Sequence, residues 1–66
     1  MDPVDIAERF MWWAKQNRGG IAGVGDLLPY SKPDIAEAVR IMRSRGCAVE
    51  EGDNWLRVTL PPDQAR

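Results

Sequence analysis

The side chains that most often carry catalysis are sparse in this sequence. The 66 residues include no histidine and a single cysteine, Cys47. Without histidine there is no imidazole for acid–base chemistry and none to activate the thiol as a nucleophile. The adjacent acids Glu50 and Glu51 have no apolar stretch around them that would raise a pKa, so we interpret them as solvated charge. We therefore expect no enzyme activity, no cofactor and no metal site.

The surroundings of Cys47 point to a structural role for its thiol. It follows Gly46 and precedes Ala48 and Val49, which is typical of a small buried hydrophobe. A single cysteine cannot form an internal disulfide. No apolar run approaches the about 18 residues of a membrane span, and no basic residue precedes an apolar run at the N-terminus. We expect no membrane span, no signal peptide and a cytoplasmic location.

Length and charge limit the classes of partner. A chain of 66 residues makes one domain, and we predict a folded domain over residues 1–60 with a tail or linker start at 61–66. Lysine and arginine total 9 against 10 acids, so the net charge is −1. Proteins that hold nucleic acid without sequence preference are normally basic. The near-neutral charge balance argues against strong nonspecific binding of nucleic acid. It is compatible with a basic patch on one face of the protein.

Residues 31–46, SKPDIAEAVRIMRSRG, have the clearest helix pattern in the chain. Ser31 is typical of an N-cap, and Asp34 follows at the spacing of a capping box. Gly46 is predicted to end the helix in the left-handed conformation. Apolar residues at spacings of three, four and seven predict a single buried stripe. Its members are Ile35, Ala38, Val39 and Met42. Burial of this stripe turns Arg40 outward.

A first helix is predicted to begin at Asp2-Pro3 and to end at Gly19-Gly20. Its apolar face consists of Ile6, Ala7, Phe10 and Ala14, with Met11 and Trp13 at the margin. At about 100° per residue, Trp12 points to the opposite, polar side. Three explanations remain open for this aromatic: cover by the tail at Pro61 and Pro62, contact with a second copy or another protein, and stacking on nucleic acid.

The connection between the two helices is rich in glycine, which disfavours helix. We predict a short second helix over about residues 22–28, since apolar residues there keep helical spacing. The alternative is an extended segment at 20–22 followed by a single helical turn. Tyr30, in the turn that follows, is expected to pack into the core between the helices.

Residues 47–60 alternate in polarity as strands do. The inward set is Cys47, Val49, Leu56, Val58 and Leu60. Gly52-Asp53-Asn54 is the predicted turn, formed by residues that tolerate a positive φ. Trp55 and Arg57 are placed on the outward face. Trp55 either packs across the hairpin or contacts a partner.

With these elements placed, the chain resembles winged helix-turn-helix domains over nearly all of residues 3–60. The densest match, SKPDIAEAVRIMRSRGCAVEEGDNWLRVTLPP, is similar to the corresponding run in biotin-repressor-type winged domains. There a serine-capped helix ends in glycine, a β-branched strand follows, and a glycine-containing wing returns to prolines. The resemblance implies an α+β fold, a winged helix-turn-helix of three helices followed by a two-stranded β-hairpin wing.

The same resemblance implies a small module that binds double-stranded DNA in transcription regulation, with residues 31–45 as the recognition helix. Arg40 would pair with a guanine edge, and Glu37 would accept a hydrogen bond from cytosine. Phosphates would be held by Ser31, Lys32 and Arg43. The wing would contribute Trp55 and Arg57.

A second hypothesis is that the protein has the same fold but does not bind DNA. The hairpin carries Glu50, Glu51 and Asp53, which would repel phosphates. These acids and the neutral balance suit a winged-helix module for protein–protein interaction or self-association. Trp12 is the predicted contact with a second copy or a protein partner, because tryptophan is enriched at binding hot spots.

Overall fold

A computed structural model describes residues 2–17 and 21–62, with the backbone alone at Ile21, Ala22, Val24 and Asp26. In chain order the elements are α1 (Pro3–Asn17), β1 (Ile21–Ala22), α2 (Val24–Leu27), α3 (Lys32–Ser44), β2 (Ala48–Glu51) and β3 (Leu56–Thr59). Only α1 and α3 are longer than one turn. The strands β2 and β3 form an antiparallel hairpin, with Val49 opposite Val58.

The predicted winged helix-turn-helix, three helices followed by a two-stranded hairpin, is wrong. Residues 22–28 do not form a second helix: the segment consists of strand β1 and the single helical turn α2. β1 pairs antiparallel with β3, Ile21 opposite Arg57 and Ala22 opposite Leu56, so the sheet order is β1-β3-β2. The alternative of an extended segment followed by one helical turn describes this region. What the structure supports is a small α+β fold with two helices and an antiparallel hairpin.

Helix α1 begins as its sequence predicts. The Asp2 carboxylate accepts a hydrogen bond of 2.9 Å from the N–H of Val4, which otherwise has no partner at a helix start. The buried side of the helix consists of Ile6, Ala7, Phe10 and Ala14, as predicted. The predicted end at Gly19-Gly20 lies outside the described residues.

Helix α3 has a hydrogen-bonded cap at its start. Ser31 has extended backbone angles, and its Oγ accepts a hydrogen bond of 3.3 Å from the N–H of Asp34. Pro33 lies in the first turn, where its missing N–H leaves no bond unmade. The predicted stripe is buried at Ala38, Val39 and Met42 and half-buried at Ile35.

The end of α3 explains the glycine at position 46. Gly46 has φ +90°, a conformation that costs an L-residue with a side chain about 1–2 kcal/mol. Its N–H donates to the carbonyl of Arg43 at 3.0 Å, and the N–H of Cys47 donates to the carbonyl of Met42 at 3.1 Å. This pair of bonds is a Schellman motif, which turns the chain out of the helix and into β2.

One apolar core joins the helices to the hairpin. Its three largest fully buried side chains come from three elements: Ile6 of α1, Met42 of α3 and Val58 of β3. Tyr30 packs at its edge against Phe10, with ring centroids 6.0 Å apart and planes at 78°. This agrees with the core role expected for Tyr30. No polar side chain is buried among the described residues.

Replacing Ser31 tests the cap that starts α3. Ser31→Ala should lower the free energy of unfolding by about 1 kcal/mol, because the Asp34 N–H loses its acceptor. Ser44 is the matched control in the same helix, where its Oγ donates to the Ile41 carbonyl at 2.6 Å. Ser44→Ala should change stability by less than about 0.5 kcal/mol. Urea unfolding followed by circular dichroism measures both, and equal losses would contradict the capping role.

Candidate functional site

The outward side of α3 is open to solvent and carries cations. Arg40 keeps 77% of its side chain exposed, and Lys32, Ala36 and Ser44 are exposed beside it. Arg40 faces outward because Val39 and Met42, on either side of it in sequence, lie in the core. The prediction that burial of the stripe turns Arg40 outward is confirmed.

Arg40 is held by an acid on its own helix. Its Nη1 lies 3.1 Å from Glu37 Oε2, one turn earlier on the same face. Both side chains are well exposed, and such surface pairs contribute about 0.2–1 kcal/mol. Because the pair is weak, the guanidinium remains available to another anion.

Arg43, predicted as a phosphate ligand, contacts the hairpin. Its Nη2 donates to the backbone carbonyl of Val49 at 2.8 Å and lies 3.6 Å from Glu51 Oε2. Both partners belong to β2, so the side chain joins the last turn of α3 to the hairpin. Arg43 therefore links α3 to the hairpin while 52% of its side chain stays exposed.

The hairpin brings its charges together in pairs. Arg57 stands opposite Glu50 in the β2–β3 register, and its Nη1 lies 3.4 Å from Glu50 Oε1. Together with Glu37–Arg40 and Arg43–Glu51, this makes three arginines of the predicted site that are paired with carboxylates. Among the described residues, no such pair within 4.0 Å involves Lys32.

Trp55 packs on the hairpin itself, as one of its two alternatives predicted. Its indole lies directly over Gly52, and the Gly52 N–H donates to the Trp55 carbonyl at 2.9 Å. A Cβ at position 52 would overlap the indole ring. The glycine is therefore needed for space rather than for a positive φ, which it does not adopt. Trp55 keeps 38% exposure at its outer edge.

Trp12 lies on α1, away from the exposed side of α3. It is 64% exposed, in agreement with its predicted outward direction. Pro61 lies instead near Gly46, about 3.5 Å from where a Cβ on that glycine would be. The described part of the tail thus does not cover the indole, and residues 63–66 lie outside the description.

Two features of the surface were missed from sequence. Leu28 lies within the residues 22–28 predicted as a second helix, and its side chain is 76% exposed. Arg9 reaches Tyr30, with its Nη1 3.4 Å from the Tyr30 hydroxyl, across 21 residues of chain. The spacing of residues within one segment does not predict the Arg9–Tyr30 contact, since this contact depends on where the turn before α3 is placed.

Cys47 is buried with its thiol free. Burial raises the pKa of this thiol, and the charge of Arg45 lowers it by less. The net effect favours the neutral thiol and a structural role, as expected from its neighbours.

Comparison with protein-family models, with curated proteins and with solved structures found no match for this chain. Among the described residues, no helix is long and apolar enough to cross a membrane. The same residues contain no cluster of three or more acids and cysteines that could hold a metal ion. The function must therefore be argued from the surface of the protein.

Two glycine-to-alanine changes should have opposite effects on stability. Gly52→Ala should lower the free energy of unfolding by about 1–3 kcal/mol, because the new methyl displaces the Trp55 indole. Gly25→Ala should raise it by up to about 1 kcal/mol, since α2 leaves that position open and alanine favours helix. Thermal unfolding of the two variants checks the sign, and a neutral Gly52→Ala would contradict the packing.

The thiol of Cys47 should be protected in the folded protein. At pH 8, we expect native protein to react with a disulfide reagent at least about tenfold more slowly than protein unfolded in guanidinium. The raised pKa also makes the folded state favour the protonated thiol, so stability should fall as pH rises past the ordinary cysteine value. Because the chain has one cysteine, labelling reports on this site alone. Equal rates would contradict the burial.

Proposed function

We propose that this protein binds duplex DNA through the outward side of α3, with Arg40 and Lys32 as its main contacts and transcription regulation as its role. The observation that carries the proposal is an exposed cationic side of α3 that no described element covers. Arg40 is directed to solvent by the buried stripe behind it, and Lys32 stands one helix position after the Ser31 cap. An exposed helix side of this kind has dimensions that suit a DNA major groove.

The distribution of charge along the chain supports this surface. Residues 31–46 contain four cations and two acids, a net charge of +2. The whole chain carries −1, so the remaining residues carry −3. Positive charge is thus concentrated on the segment that contains α3, and the rest of the molecule would be repelled by phosphate. Such asymmetry orients a protein on a polyanion even when its total charge is near zero.

The Glu37–Arg40 pair allows this binding at small cost. Releasing Arg40 from Glu37 requires only the about 0.2–1 kcal/mol of an exposed pair. A guanine edge then offers the guanidinium two acceptors, and a phosphate offers a full charge. Glu37 remains beside the same groove, where it accepts from cytosine and disfavours other bases. Arg43, engaged with β2, acts as a positioning residue for the helix.

Titration of a labelled two-turn duplex, followed by fluorescence anisotropy, tests the proposal. Binding should weaken with salt with a log–log slope of about −2, for two phosphate contacts. Arg40→Ala should weaken it by about 1–3 kcal/mol, and Lys32→Ala should reduce the slope by about 1. Absence of binding at low salt, or binding unchanged by Arg40→Ala, would contradict the proposal.

A matched pair of acid-to-amide substitutions distinguishes the effect of charge on α3 from the effect of the net charge on DNA affinity. Glu37→Gln should strengthen nonspecific binding about two- to fivefold, because it frees Arg40 and adds one unit of charge at the surface. Asp5→Asn adds the same charge on the exposed side of α1 and should change affinity by less than about twofold. Equal effects would show that only net charge matters.

A second candidate is a protein-interaction module that does not bind DNA. The specific observation in its favour is that Arg40, Arg43 and Arg57 are each already paired with a glutamate. The 64% exposure of Trp12 supplies the apolar contact that such a module needs. In that case the anisotropy of the duplex should stay unchanged at every salt concentration. The two candidates are thus decided by one titration.

A further inference from the structure

An exposed stripe runs along α1 on the side opposite the core. It consists of Glu8, Trp12 and Lys15, which follow one another at spacings of four and three residues, and all three are exposed. The indole at its centre is 64% exposed, whereas the other face of the helix is closed by α3 and the hairpin. An aromatic side chain with this much exposed surface is available for contact with another molecule.

We propose that the stripe pairs with the same stripe of a second copy of this chain, the two α1 helices running antiparallel. The charges select this occupant. Glu8 lies before Trp12 and Lys15 lies after it, at nearly equal distances. Reversing the second helix therefore places Glu8 of each copy opposite Lys15 of the other. The same stripe thus carries both the acid and the base of the complementary pairs, as an isologous two-fold contact requires.

The symmetry also fixes how the aromatic groups meet. A two-fold axis midway between Glu8 and Lys15 falls between positions 11 and 12, so the two Trp12 side chains are displaced by about one helix rise, 1.5 Å. Offset stacking of this kind is a favourable arrangement for aromatic rings. A parallel pair would bring Glu8 against Glu8 and Lys15 against Lys15, which repel. The charge order thus excludes the parallel arrangement.

The size of the surface indicates how tight the dimer is. Helix α1 has 15 residues, so its length is about 22 Å and its exposed side is about 10 Å wide. The area of this exposed side is well below the about 800 Å² that each partner buries in a stable complex. The dimer is therefore weak and reversible, populated at high protein concentration or when another contact raises the local concentration. The pairing leaves α3 free and does not depend on DNA binding by that helix.

Sedimentation velocity without DNA, from about 10 μM to about 1 mM protein, tests the pairing over the range of weak affinities. The wild-type chain should show a concentration-dependent shift toward a dimer. Trp12→Ala should raise the dissociation constant at least about tenfold. Leu28→Ala is the control, because Leu28 is even more exposed and its removal should have no effect. Equal loss in both variants would indicate unspecific apolar association and overturn the proposal.

Charge swaps test the antiparallel arrangement itself. Glu8→Lys and Lys15→Glu should each raise the dissociation constant by at least about fivefold, because each sets like charges across the two-fold axis. The double variant recreates both pairs and should return to within about twofold of wild type. A double variant as weak as the single ones, or a chain that stays monomeric throughout, would overturn the proposal. All positions are exposed, and circular dichroism verifies that each variant folds.

Discussion

The packing of α3 against α1 is the contact on which the rest of this small protein depends. Met42 and Ile6 are fully buried, and the neighbouring Ala7 and Ala38 are small enough to let the two helices approach closely. A chain of this length buries only about 60% of its unfolded surface, and the buried side chains of the described residues form a single core cluster. The hairpin closes that core through Val49 and Val58. The outward directions of Arg40 and Trp12 follow from this contact.

The direction of each surface follows from the helix period. With Val39 and Met42 inside, Arg40 must face solvent, and with Phe10 inside, Trp12 must do the same. The molecule therefore presents two distinct exposed surfaces on two helices: a cationic side on α3 and a stripe with an aromatic centre on α1. Because α1 and α3 meet through their buried sides, the proposed contacts of the two surfaces do not compete for the same residues.

Ion pairs organise the hairpin more than they stabilise it. Arg43 binds the Val49 carbonyl and Glu51, and this joins the end of α3 to β2 just after the chain has turned at Gly46. Arg57 and Glu50 face each other across the two strands. Exposed pairs contribute little free energy each. Their effect is to position the paired side chains. They also place an arginine beside Glu50 and beside Glu51, so these two acidic charges of the hairpin are opposed.

The connection between α1 and α3, which was wrongly predicted, shows that apolar spacing within one segment does not always determine its secondary structure. A second helix was predicted over about residues 22–28 because the apolar residues there keep helical spacing, with an extended segment at 20–22 and one helical turn as the alternative. In the structure, Ile21 and Ala22 instead pair with the edge of β3, opposite Arg57 and Leu56. Glycine lowers the preference for helix, so an unpaired strand edge more than thirty residues away decides the conformation. A three-stranded sheet formed by such a pairing has no signature within one segment.

The sequence alone determined the two long helices, the caps at their starts, the glycine that ends α3, their buried faces, the hairpin, and the outward directions of Arg40 and Trp12. These features depend on spacing and on residues with restricted backbone or hydrogen-bonding behaviour, all within a few positions of one another. Only the tertiary structure decided the pairing of β1 with β3, the seat of the Trp55 indole on Gly52, and the capture of Arg43 by the hairpin. Each of these requires the relative placement of separate segments, which packing of the whole core sets.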